Sequence, residues 1–210
     1  MRLLRSSLLS ICLAAGVAGS ALVPTDAHAS VSIAVGFDDL VKDADGVALA
    51  TPTDAKAVWE GGRIVTYTKL KVDQGVAGET TTGQELWVRT LGGVVGKIGQ
   101  LVDGEPVFSP NKQSLLFLRK FSQGTYEVSA RAQGQFPILV DDASKARRVG
   151  KNANVGVLFP PKPRTLDTKE AKMESTQIRL ASEALHDRGV DDATKEIADA
   201  WKKAHAAPAK

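Results

Sequence analysis

Between Glu85 and Lys120 the chain reads ELWVRTLGGVVGKIGQLVDGEPVFSPNKQSLLFLRK, and no other stretch constrains the fold as much. Its two ends, Leu86–Leu91 and Ser114–Lys120, carry β-branched, aromatic and aliphatic residues at strand density. Between them Gly92, Gly93, Gly96 and Gly99 are followed by an Asp103-Gly104 turn and a Ser109-Pro110 turn. Glycines and turns at that spacing forbid a helix, so the stretch predicts a β-core interrupted by a glycine-rich excursion.

The rest of the β-region follows the same logic. Two strand-like runs, Ala57–Glu60 and Arg63–Val72, flank Gly61-Gly62, whose positive φ angles suit a tight hairpin turn. In the second arm Ile64, Thr66, Thr68, Leu70 and Val72 share one parity, and Tyr67, Lys69 and Lys71 take the other, which predicts one buried and one wet face. Val47–Thr51 reads as a short strand ended by Pro52. Leu115–Leu118 is apolar at every position, as for a strand buried on both faces. After the Ser122-Gln123-Gly124 turn, Thr125–Ala130 alternates, and Phe136–Val140 is a last strand that Pro137 assigns to an edge. Six or seven short strands predict a mainly β fold, a small antiparallel, partly open barrel.

Helical spacing occurs at the two ends of this region. Phe37, Leu40, Val41 and Ala44 fall at i, i+3, i+4 and i+7, which predicts a short helix closed by Gly46. Asp167 with Glu170 forms a capping box for a helix over Thr168–Asp187, and Ala193, Ile197, Trp201 and Ala204 mark a second. Asp141–Leu166, with Ala146-Arg147-Arg148 and Pro160-Pro161-Lys162-Pro163, reads as a basic, proline-stiffened linker. The expected division is a leader over 1–29, a barrel over 30–140, the linker over 141–166 and a helical pair over 167–210.

The amino terminus has the form of a secretory leader. Arg2 and Arg5 precede the apolar run Leu8–Val17, Pro24 breaks it, and Ala27-His28-Ala29 supplies a small-x-small cleavage site. Cys12 lies inside the apolar run behind Ile11, which does not fit a lipidation site. The leader takes Arg2, Arg5 and Asp26 from 27 basic and 24 acidic residues, leaving 25 against 23 and a formal charge of +2. It also removes the one cysteine. The expectation is an exported protein, periplasmic or extracellular, held by its core alone, with no transmembrane segment after cleavage.

Motifs for chemistry fail one by one. Gly96-Lys97 has Leu91 and Ile98 where a phosphate loop requires glycine and a hydroxyl. A dinucleotide fingerprint requires a helix after its glycines. The acids around Gly46 place Val41 and Pro52 at the end positions of a calcium loop, and neither offers a side-chain oxygen. His186 and His205 lie on the terminal helices, too few for a histidine metal site. Aromatics make up 5% of the chain, which with a near-neutral charge speaks against single-stranded nucleic acid. No cofactor or metal is expected.

Two function classes remain. One is a non-enzymatic binding or scaffold module whose contact surface is a barrel face or the glycine segment, Gly92, Gly93, Val94, Val95, Gly96, Lys97, Ile98, Gly99 and Gln100, with another envelope protein as partner. Val94, Val95, Ile98, Leu101 and Val102 are then either a further core strand or an apolar patch among turns. The other is a hydrolase using paired carboxylates, with Asp103 and Glu105 as candidates.

The strings GVALATP, VWEGGRIVTYTKLKVDQGVAGE, LWVRTLGGVVGKIGQLVDGEPVF and LLFL resemble a family of exported bacterial β-barrel proteins over about Phe37–Ile138, most specifically in TLGGVVGKIGQ. More remotely, the order helix, apolar strand, YTKLKV, VAG, WVRT, LLFL is similar to netrin-like modules, among them the tissue inhibitors of metalloproteinases. That resemblance implies an oligonucleotide/oligosaccharide-binding (OB-like) barrel and, as an alternative function, a protease-inhibitor-like module. The cysteines that staple those modules and reach the protease metal are absent from this chain.

Overall fold

The hairpin that turns at Gly61-Gly62 is the spine of the fold. In the computed structural model, which describes residues 31–161 and 178–206, its arms are β2 (Gly46–Glu60) and β3 (Arg63–Gly78). Glu60 pairs with Arg63, and the two glycines between them adopt φ of +56° and +79°, a region that costs a side-chain-bearing residue energy. The predicted leader Met1–Ala29, the Asp167–Glu170 capping box and Met173 lie outside the described residues.

The remaining strands wind from this hairpin into a ring. β4 (Glu85–Leu91) lies antiparallel on β3, and β7 (Ser114–Ser122) antiparallel on the other side of β2. β8 (Thr125–Val128) turns back along β7 and meets β4 in parallel. That parallel seam consists of Trp87 with Thr125 and Val88 with Tyr126, so the barrel stays partly open there. The fold is mainly β and OB-like, as the sequence implies. Register shifts in β2 at Val47/Ala48, Leu49/Ala50 and Pro52/Asp54 are the bulges that bend so long a hairpin around a small core.

Side-chain parity divides the core in two. Ala48, Ala50, Leu70, Val72, Leu86, Val88, Leu116 and Leu118 face one another inside the barrel. Val47, Leu49, Leu115 and Phe117, from the same strands but the opposite parity, face outward onto a helical layer. Leu115–Leu118 is therefore apolar throughout because β7 is covered on both faces, as predicted. The outer layer comprises α1 (Phe37–Asp43), α2 (Ala181–Leu185) and α3 (Val190–Ala204). Leu40, Val41, Leu185 and Ile197 supply its buried faces, and Phe136 meets Phe117 edge-on at 6.1 Å.

Four local expectations are corrected. Pro52 does not end its strand: it sits at a bulge past the last residue that β7 pairs with, so its missing N–H breaks no ladder. Pro137 does not mark an edge, since β9 (Gln135–Val140) pairs with β7 on one side and β10 (Arg147–Val149) on the other. Its carbonyl still accepts from Gly150 N–H at 2.7 Å, where β10 runs out. The stretch read as a linker holds β10 and also β11 (Val157–Phe159), which pairs in parallel with β1 (Val31–Ile33). Three-residue strands carry too little periodicity to be visible in sequence. Within the expected helix over 168–187, Ile178–Leu180 is not helical: Arg179 O accepts from Phe37 N–H at 2.9 Å and Leu180 bridges Gly36.

Candidate functional site

The glycine segment forms a hairpin at one mouth of the barrel. β5 (Gly93–Val95) and β6 (Ile98–Gln100) pair with Gly96-Lys97 as the turn, and the ribbon lies against the far end of the β2–β3 arm. Three hydrogen bonds hold it there. Gly92 N–H donates to Ile64 O at 2.8 Å, the Thr66 hydroxyl donates to Gly92 O at 2.6 Å, and Gln100 Oε1 accepts from Ile64 N–H at 2.7 Å.

The choice between core strand and apolar surface is decided by exposure. Val94 is 67% exposed, Ile98 55% and Leu101 77%, while Val95 and Val102 are half-buried. Gly96, Lys97 and Gly99 are exposed, and Gly92 is buried. Gln100, one of the nine expected contact residues, has its side-chain oxygen committed to β3. Trp59, on the same face of the arm as Ala57, which Gly93 abuts, is also exposed and widens the apolar surface.

Behind the hairpin the chain crosses the mouth through Val102–Phe108. Thr66, Thr68 and Thr90 replace the aliphatic layer of the core at this end, and Phe108 packs down onto it. Between them opens a cleft of about 530 Å³ walled by Val94, Leu101, Val102, Val107 and Phe108. Of the two carboxylates considered for hydrolysis, Asp103 stands exposed in its turn. Glu105 is buried, and its two oxygens are engaged by Leu91 N–H at 3.0 Å and Arg131 Nε at 3.2 Å. Those bonds make Glu105 a tie between β4, the crossing segment and the turn after β8.

A second, polar cleft of about 1050 Å³ runs beside the β4–β8 seam. A cluster at its edge is not legible in the sequence. Glu60, Tyr67 and Arg89 lie on the outer face of β2, β3 and β4, where the register sets Tyr67 opposite Arg89. Glu60 accepts from the Tyr67 hydroxyl at 2.7 Å and from Arg89 Nη2 at 2.7 Å. Arg89 also lies over the Phe121 ring at 4.6 Å. The Tyr67 bond first, then the Arg89 bond, holds the Glu60 carboxyl below its ordinary range, and the same bond to Glu60 raises Tyr67. Farther along, Arg119 bridges Asp43 and Glu127, and the buried Ser129 hydroxyl donates to Asp43. These charges compensate one another. Among the described residues no group of three or more His, Cys, Asp or Glu could hold a metal ion.

No family model, curated protein or solved structure matches the chain. Among the described residues no helix is long and apolar enough to cross a membrane.

Proposed function

We propose that this chain is an exported, non-enzymatic binding or scaffold module of the bacterial envelope, with the glycine hairpin as its contact surface for another envelope protein. The observation that carries the reading is the exposure of Val94, Ile98 and Leu101 on a hairpin pinned to the barrel by three hydrogen bonds. Apolar side chains held outward on a tied backbone lose little entropy on docking. Burying one such aliphatic side chain contributes up to about 1.5–3 kcal/mol, which supports the hairpin as an apolar anchor within a larger contact. Export rests on the basic start, apolar run and Ala27-His28-Ala29.

The contact test is the double variant Val94→Ser with Ile98→Ser. It keeps its fold and loses the partner that the unaltered protein captures from envelope extract. Capture that survives both changes, or catalytic turnover abolished by Asp103→Asn, overturns the reading. Export is tested by the mass of the protein from its native host: a chain starting at Ser30 is expected, and an intact Met1 or a lipid on Cys12 contradicts it.

A further inference from the structure

We infer that the cleft at the barrel mouth is a binding site for an uncharged small molecule with an apolar body and a single hydrogen-bonding group. Ligand sites favour the mouths of β-barrels, and about 530 Å³ lies within the range such sites occupy. The walls are aliphatic and aromatic, contributed by Val94, Leu101, Val102, Val107 and Phe108. Among its buried polar side chains, one lacks a protein partner. Thr68 lines the cleft and is 2% exposed, and its hydroxyl makes no hydrogen bond to any described residue. Since no fully enclosed side-chain oxygen or nitrogen among the described residues is unpaired, that hydroxyl opens onto the cleft. The Thr66 hydroxyl, by contrast, is committed to Gly92 O.

The charge of the ligand follows from the lining. Glu105 is its sole ionisable residue and is already paired with Arg131 and the Leu91 N–H, so the lining offers a ligand carboxylate no cation, and its charge would be desolvated against apolar walls. An alcohol, ketone or amide carries no such penalty and can use the Thr68 hydroxyl, which both donates and accepts. The site also depends on two glycines. A Cβ at Gly93 would come within 2.2 Å of Thr66 Oγ1, and one at Gly92 within 2.7 Å of Gln100 O. Glycine at both positions lets the hairpin close over the threonines and form the cleft wall. The inference rests on the reading above only in that the same hairpin provides this wall.

The test uses N-phenyl-1-naphthylamine, an uncharged fluorophore, titrated into the protein in the form its host leaves it, then displaced by decan-1-ol or decanoate. Saturable fluorescence is expected, with decan-1-ol displacing the probe at least tenfold better than decanoate. Thr68→Val, which keeps the side-chain shape, weakens decan-1-ol about fivefold. Should that variant fail to fold, Val94→Asp, at an exposed wall position, weakens both probe and alcohol while the fold is kept. Absence of saturation, equal displacement by decanoate, or binding unchanged in the folded variants overturns the assignment. Partner capture without saturable probe binding assigns the cleft to a protein segment, which sinks this inference and leaves the contact surface standing. Saturable binding in a protein that captures no partner does the reverse.

Discussion

Gly93 approaches Thr66 so closely that a Cβ on the glycine would lie 2.2 Å from the threonine Oγ1. Its φ of +131° is one that side-chain-bearing residues avoid. Gly96, in the turn of the same hairpin, has φ +62° but open space around it. Gly93→Ala should therefore detach the hairpin from β3 and cost more than the strained backbone alone, whose scale is about 1–3 kcal/mol. Gly96→Ala should cost about 1 kcal/mol. Urea unfolding of the two variants, with amide shifts of Gly92 and Ile64 as a local reporter, checks the difference.

Leu116 is fully buried inside the barrel, and its neighbours Leu115 and Phe117 are fully buried on the opposite face. Leu116→Ala should destabilise the protein by about 2–5 kcal/mol. Amides of β7 should exchange with solvent more slowly than those of β6. Fast exchange in β7 would contradict its central place.

Glu60 ties stability to pH. Its carboxyl is held below the ordinary glutamate value of about 4.5, so the unfolded chain takes up the proton first as pH falls. The stability this group contributes is present above that ordinary value and is lost as pH drops through the lowered one. Glu60→Gln should be destabilised at pH 7, and its difference from the unaltered protein should shrink at pH 3. Tyr67, whose value is raised by the same contact, contributes stability below its ordinary value of about 10.0 that is lost only as pH rises through the higher one. Denaturant titrations at several pH values read both signs.

The C-terminal helices belong to the core of the fold. Ile197 is fully buried against the layer that holds Leu115 and Phe117, and a Cβ on Gly78 would meet the Trp201 ring at 2.7 Å. Ile197→Ala should cost about 2–5 kcal/mol. A chain ended at Asp141 exposes Phe117, Leu49 and Phe136 together, and should lose its cooperative unfolding transition. A truncated chain that unfolds as sharply as the whole protein would overturn this placement.

Legible in the amino-acid sequence were the longer barrel strands, the Gly61-Gly62 turn, the parity of β3, the double-sided burial of Leu115–Leu118 and the helix at Phe37. Each of these is written in neighbours a few residues apart, where alternation and glycine placement act directly on the backbone. Packing across the whole fold set what depends on partners distant in the chain. The exposure of Val94 and Ile98 follows from nothing packing over the hairpin, and five apolar residues among glycines read the same whether covered or not. Arg147–Val149 and Val157–Phe159 became strands because β9 and β1 offered free edges. Glu60, Tyr67 and Arg89 meet because a register across three strands sets them on one face. Thr68 became the open hydroxyl of a cleft because the chain crosses the barrel mouth above it, a closure 34 residues and more away that no local pattern encodes.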